Sequence, residues 1–566
     1  MKKSTHEHLQ RVGILLLSLV LVIGMFAGCS AKEDASVQAE QSAQTEQSAQ
    51  TEQAAQTEQP AQEQTNTHRD VINIASGEPN TLFPYAATST NGDNMFDFIY
   101  DRLVYTDFHG EFSPRLADSW ESNEDGTVIT FHLNPNVTWQ DGEPFTAQDM
   151  VFAAQVATNP ETTVTRRSYF ASLVGTDSDG VCENAEDLGV IAVDDHTLEY
   201  HFKTGVAVST FLYIDAQRYY PMPYHLLKDI PFSEMETNEY WLKPIGTGAF
   251  QYESNIAGES ATLVANPNYF LGAPNVDKVV IKYLANTSLA AALLSGDIDA
   301  TLIDVPIADL TLLQQAENLA AETQPSYLYT YMTINCEKEY FQDTRVRQAI
   351  NMAINREEIV QQALYGYGEI ATHSLNSDNP YFNPEIAADP YDPEGAKELL
   401  KDAGWDFDRE LVFVSYETNA ARAAATLVIQ QNLQAIGMKV TIQNVDWSTL
   451  IDMAREGKCD LSILGGAGSL DPDDARVLFQ VGGAQNFCHV QDPKFFDLYQ
   501  AGHDALTQEE KMQYYYEVQK ALYDDPSYIW LYHNDHSAVY NKSIGNVPVL
   551  DFSNLNYNAY AWTFTN

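Results

Sequence analysis

Between Asp277 and Gly466 the apolar residues switch repeatedly from a spacing of two to a spacing of three or four, and this alternation is the strongest constraint on the fold. In DKVVIKYLANTSLAAALLSGDIDATLIDV, Val279, Ile281 and Tyr283 alternate as a strand and Thr287 or Ser288 offers a helix cap. Gly296 ends that helix, and a second strand closes near Val305. Val346, Ala349, Ile350, Ala353 and Ile354 then recur at helical spacing, and Asn355 with Glu358 starts a further helix that Gly366 stops. Asp392 and Pro393 open another, ended by Gly404. The run ARAAATLVIQQNLQAIGMKVTIQNVDWSTLIDMAREGKCDLSILGG reads helix, strand, helix, strand, with Gly437 and Gly457 as stops. Strands and helices in strict alternation pack as a sheet covered by helices, so the expected class is α/β.

A chain of 566 residues is too long for one hydrophobic core, so at least two lobes are expected. Upstream of Asp277, VINIAS reads as a strand, about Asn94 to Leu103 as a helix, and Thr127, Ile129, Phe131 and Leu133 as one face of a strand. Thr146 with Asp149 forms a capping box for the helix that follows. Connecting strands near Tyr327 to Thr333 and Tyr528 to Tyr532 would leave a cleft between two α/β lobes, where small ligands bind.

The N-terminus has a different logic. Lys2, Lys3 and Arg11 precede an uncharged apolar run from Val12 to Phe26, too short for a comfortable membrane span, and 1–28 reads as an export signal. It closes with Phe26-Ala27-Gly28-Cys29, which resembles the bacterial lipobox and marks Cys29 for lipidation. One acyl chain holds a protein only marginally, at about 0.8 kcal/mol per buried methylene, and two or three make the anchor durable. Residues 29–69 are mostly Gln, Glu, Ala, Ser and Thr, with the near-repeat TEQSAQ, TEQAAQ, TEQPAQ, and cannot bury a core. The stretch 30–68, as a flexible coil of about 39 residues, would span roughly 35 Å.

Composition excludes several functions. Acidic residues outnumber basic ones 79 to 31, a balance that repels phosphate backbones and anionic headgroups, so nucleic acid is not an expected partner. The five cysteines form no CxxC pair and no zinc spacing. Cys488 with His489, and His533 with His536, raise a metal reading, but no third ligand stands at suitable spacing. The nearest approach to a GxSxG elbow is GESAT at Gly258, and there is no HExxH. An extracellular hydrolase is therefore only a remote alternative, and neither cofactor nor metal is expected.

From about Asp70 onward the chain resembles the family 5 extracellular solute-binding proteins, the oligopeptide, dipeptide and nickel binders of ABC importers. The resemblance is carried by LADSWESNEDGTVITFHLNPNVTWQDGEPFTAQDMVFA, PIGTGAFQY, NPNYF, LSGDIDA, INCEKEYFQDTRVRQAINMAINREEIV, YDPEGAKELLKDAGW and LDPDD, in that order. It departs at Asn134, where the family usually has a basic residue. The resemblance implies a type II periplasmic-binding-protein-like fold. Its parts would be a first lobe from 70–110, 236–325 and 533–566, an inserted accessory domain at 111–235, and a second lobe at 326–532. It also implies a monomer that closes on its ligand and docks on permease subunits with their ATPases, touching the membrane only through its lipid.

The resemblance also suggests where a ligand would sit. Peptide binders of the family hold the ligand ammonium with an aspartate just before the DP dipeptide, and Gly468 occupies that position. The arginine that dipeptide binders aim at the ligand carboxylate falls at Tyr416. Trp447 matches an indole set against the ligand, or else is a core residue following a strand. Ser89, Thr90 and Asn91 offer hydroxyls and amides, or simply cap a helix. Ser469 and Asp471 offer contacts from the second lobe, or only a turn. With both charge anchors missing, oligopeptides, modified peptides and neutral oligosaccharides stay open, as does a receptor that senses peptides instead of importing them.

Overall fold

The computed structural model describes residues 71–547 and 556–564, apart from Phe108, Arg166, Gln217, Arg218, Asp389, Glu417 and Thr418. The export signal, the lipidation site Cys29 and the tether 29–69 lie outside the described residues. Among those described, no helix is long and apolar enough to cross a membrane.

Eleven strands form one mixed sheet, and two of them explain its breadth. Leu319–Ile334 and Tyr528–Asn541 have 16 and 14 residues, well beyond the usual five or six, because each belongs to two halves of the sheet. They pair antiparallel from Leu319 opposite Asn541 to Thr333 opposite Tyr528, with an irregularity between Pro325 and Tyr329. At one end Tyr528–Asn541 joins Ala300–Thr301, Val71–Ser76 and Lys278–Tyr283, which run parallel to one another around Val71–Ser76. At the other end Leu319–Ile334 joins Leu461–Ala467, Glu410–Tyr416 and Lys439–Val445, again parallel around the middle strand. The sequence reading placed these connecting strands only at Tyr327–Thr333 and Tyr528–Tyr532. Their continuations, such as Asn534 to Ser537, are polar and half-buried, so they lack the apolar alternation that marks a strand.

Strand alternation sends successive side chains to opposite faces, and both faces are buried. Ile72 and Ile74 face a core with Phe96, Phe98 and Leu263, while Ala75 faces another with Leu289, Leu293 and Val539. On the other half, Met332 and Ile463 join Phe413 and Ile429, whereas Tyr331 and Leu464 join Phe479 and Tyr528. A separate four-stranded antiparallel sheet uses Ala117–Ser122, Val128–Leu133, Thr197–His201 and Val190–Asp194. Its Phe131 and Tyr200 pack within the same core as Ile72 and Phe96.

Caps set most helix bounds. Thr146 and Asp149 form the capping box of Ala147–Thr158. The side chains of Asn355 and Asp392 accept from the backbone N–H of Glu358 and Gly395 at the starts of Arg356–Ala363 and Pro393–Asp402. Gly296 ends Asn286–Ser295 at φ +77°, a conformation that favours glycine. Two boundaries differ from the sequence reading. The helix expected from Asn94 begins at Thr90 and ends at Ile99, because its first turn, TNGDN, is polar and carries no apolar period. The helix expected to be capped at Thr287 or Ser288 starts at Asn286 behind Ala285. Cys182, Cys336, Cys459 and Cys488 are free thiols, and three of them are buried.

Candidate functional site

Parallel strands bring their carboxyl ends to one edge, and the loops and helix starts beyond that edge are where open α/β sheets bind ligands. The protein has two such edges. On the half of the sheet around Glu410–Tyr416, Tyr416 ends one strand, Trp447 opens the helix Trp447–Arg455 just after Lys439–Val445, and Ala467 ends a third strand. These residues line a cavity of about 520 Å³ together with Arg422, Tyr329 and Tyr532.

Trp447 is 40% exposed, so it is not a core residue. Its ring meets Tyr416 edge to face at 5.5 Å, and the Arg422 guanidinium lies 5.7 Å from its centroid. Arg422 occupies the first turn of Ala420–Ala435, whose N-cap is Asn419. A cation there opposes the helix dipole. Among the described residues, no carboxylate or carbonyl accepts from its guanidinium. A Cβ on Gly465 would collide with that guanidinium, and one on Gly466 with the Tyr329 ring, so the glycine pair clears the space both side chains occupy.

The edge around Val71–Ser76 has the same construction. Val71–Ser76, Lys278–Tyr283 and Ala300–Thr301 end beside a second cavity of about 520 Å³, lined by Thr90, Asn91, Asn94, Asn286, Asp304 and His536 among others. Asn94 Nδ2 donates to the Leu302 carbonyl and to Ser76 Oγ, each at 3.3 Å, which fixes the helix start against the strand ends. Tyr532 and Asn534 line the cavity beside Trp447, while His536 and Ala538 line this one. These four alternate residues share one face of Tyr528–Asn541, so a single strand face runs from one cavity to the other.

The model of the bacterial extracellular solute-binding proteins, family 5, matches residues 111–487, more than half of the chain. The chain belongs to that family. It is a solute-binding protein of ABC transport and not an enzyme. The oligopeptide-binding protein AppA of Bacillus subtilis is 27% identical over 558 residues, covering 94% of this chain and 95% of AppA. The crystal structure of the ABC transporter substrate-binding protein CtaP of Listeria monocytogenes matches 88% of this chain and 100% of its own, at 22% identity and a TM-score of 0.78. AppA in complex with a nonapeptide matches 88% of this chain and 99% of its own, at 23% identity and a TM-score of 0.68. The type II periplasmic-binding-protein fold suggested by the sequence is the fold of this family.

Within this family 5 protein the sequence-based candidates separate into two groups. Thr90, Asn91, Tyr416 and Trp447 line the two cavities. Ser89 stands just before the first helix at the N-cap, although its hydroxyl makes no capping bond. Gly468 lies beyond the strand end and donates its N–H to the Tyr327 carbonyl at 2.8 Å. The Ser469 hydroxyl accepts from the Asp471 N–H at 3.2 Å, which makes a local turn.

Asp471 must be corrected. Its carboxylate is fully buried, with Lys511 Nζ at 3.1 Å, and hydroxyl donors Thr210 Oγ1 and Tyr515 Oη each at 2.8 Å. The Asp473 N–H completes the set at 3.0 Å. Burial alone would raise its pKa, but Lys511 and these donors hold it below the ordinary carboxylate value. Every lone-pair direction is occupied by the protein, so this aspartate stabilises the fold and has no access to ligand. Thr210 lies on the segment that follows the small sheet, so the network also ties that segment to the turn at Asp471.

The paired histidines also separate. His533 points to the buried face, with Nε2 3.2 Å from the His373 carbonyl, while His536 faces the cavity. His489 Nε2 lies 2.9 Å from the Ala454 carbonyl, and Cys488 Sγ donates to the Ser527 carbonyl. Among the described residues no three metal-ligating side chains come together.

Arg422, Asp304 and the cavity role of His536 were missed in the sequence. For Arg422 a signal existed: a basic residue in the first turn of a helix otherwise rich in alanine. Asp304 and His536 are 232 residues apart, and nothing local joins them.

Proposed function

We propose that this protein is the lipid-anchored capture subunit of an ABC importer for peptides, and that it holds its ligand by closing two lobes over it. Lobe I comprises 70–110, 236–325 and 533–566, lobe II comprises 326–532, and 111–235 form an inserted domain. The separate antiparallel sheet within 117–201 supports the last assignment. The observation that carries the reading is the pair of cavities, about 520 Å³ each, at the strand ends of the two halves and joined by one strand face. Each is of a size that holds part of an extended ligand, and together they match the volume of a small-molecule site. A ligand touching both walls favours the closed arrangement because only there does it gain both sets of contacts.

Peptide is favoured as the ligand because AppA, related along nearly the whole chain, is an oligopeptide-binding protein. The second-lobe wall suits that chemistry, with the Tyr416 and Trp447 faces for side chains and Arg422 for carbonyls or a carboxylate. Cys29 carries the lipid, residues 29–69 are the tether, and the ligand-loaded monomer docks, on the outer side of the membrane, on the permease subunits that work with the ATPases.

Native mass spectrometry of the purified protein tests the assignment. Co-purifying masses that fragment into amino-acid residues are expected, and a ladder of hexose increments would contradict the peptide reading.

A further inference from the structure

One charged pair on the lobe I wall faces the cleft. His536 Nδ1 is 2.9 Å from Asp304 Oδ2, which fixes the ring so that Nδ1 meets the carboxylate and Nε2 points away from it. Asp304 is itself held from several sides. Its Oδ1 accepts from the Ser537 N–H at 2.8 Å, and its carbonyl accepts from Asn286 Nδ2 at 3.0 Å. Its carboxylate accepts from the Ser537 N–H and meets His536, while 43% of the side chain stays exposed beside the cavity. Among the described residues no group bonds His536 Nε2, and the ring lines the cavity with 30% of its side chain exposed.

The titratable neighbours of His536 are Asp304 on the loop packed against it and Asp535 beside it on its own strand. The residue opposite on the paired strand is the neutral Gln324, and the other polar side chains of the wall include the amides of Asn91, Asn94, Asn286 and Asn556. Burial disfavours the imidazolium, but Asp304 and then Asp535 outweigh it and raise the pKa above the ordinary histidine value.

Among the described residues, the acidic and basic side chains that line the two cavities are Arg422, Asp304 and His536. The cation Arg422 stands there in a chain of net charge −48. A cation enclosed by lobe closure is costly unless the ligand supplies an anion.

We propose that His536 is a ligand-binding residue whose Nε2–H, aimed by Asp304, donates to a carboxylate of the captured peptide, so that the site selects peptides bearing an acidic group. This rests on the peptide reading above and adds the charge that the peptide must carry. The carboxylate belongs either to the peptide C-terminus or to an acidic side chain.

Four tetrapeptide libraries separate these sources: free acid or C-terminal amide, each containing either Glu or Gln. Retention on the purified protein is measured by equilibrium dialysis and mass spectrometry. At pH 6.5 at least one acid-bearing library is expected to be retained about tenfold over its neutral counterpart, the ratio expected for a charge-assisted hydrogen bond. A raised histidine pKa means that the charge is present at low pH and lost as pH rises through the folded value, so the preference falls by pH 9. Whichever library pair shows the preference identifies the source. His536→Gln is expected to abolish the His536 contribution and flatten the pH profile. Ser537→Ala removes only the hydroxyl contact to Asp304 Oδ1 at 3.4 Å and keeps the backbone N–H that holds that oxygen, so it is expected to keep the preference.

Equal retention of acidic and neutral libraries overturns the proposal, as does a preference and pH profile that survive His536→Gln unchanged. Capture of none of the four libraries overturns the peptide reading itself.

Discussion

Replacing Lys511 by methionine is expected to destabilise the folded protein by about 3–5 kcal/mol, because it leaves the Asp471 carboxylate buried without its cation. Both partners are fully buried, and water cannot take over from the ammonium. Urea unfolding followed by tryptophan fluorescence measures the loss. A second replacement, Asp471→Leu, in the Lys511→Met background is expected to restore much of the stability, since a well-packed apolar pair removes the stranded charge. The sign with pH is defined as well. A carboxylate whose folded pKa is depressed contributes stability above its unfolded pKa, and that contribution disappears as pH falls through the folded value. The wild type should therefore lose stability in acid more steeply than the double variant. An unchanged urea midpoint for Lys511→Met would show that the buried network does not hold the fold.

Trp447→Ala is expected to weaken binding of the co-purifying peptide at least 30-fold, about 2 kcal/mol, as for other aromatic anchors. Stability should stay within about 0.5 kcal/mol of wild type, because the ring is 40% exposed and lies outside the core. The cap of its helix, Asp446 accepting from the Thr449 N–H, is left intact. Leu427, 53% exposed on the helix that begins at Ala420, is the matched control: Leu427→Ala removes an exposed apolar side chain that does not line the cavity. Isothermal titration of both variants separates a cleft contact from a general effect of surface truncation. Equal affinities for Trp447→Ala and wild type would remove Trp447 from the binding wall.

The α/β class was legible because helix and strand periods alternate over nearly two hundred residues, and the caps at Thr146, Asn355 and Asp392 are local signals that tertiary context did not override. The full length of the two crossing strands was not legible. Their middle portions are polar where they face the cleft, and this same property makes them part of the site. Trp447 and Tyr416 were located through the family resemblance, and the structure makes Tyr416 the last residue of one strand and Trp447 the first of the helix after another. Asp471 was misjudged for a physical reason: an Asp-Pro turn looks exposed until residues 210, 511 and 515, far away in the chain, close around it. Asp304 and His536 depend on a loop and a strand more than two hundred residues apart, so only the folded chain brings them together.

The proposal depends on motion of two halves about the strands that join them, and small-angle X-ray scattering follows that motion directly. Protein saturated with its co-purifying peptide should have a smaller radius of gyration than the same protein stripped of ligand. Identical scattering curves at demonstrated saturation would contradict capture by lobe closure.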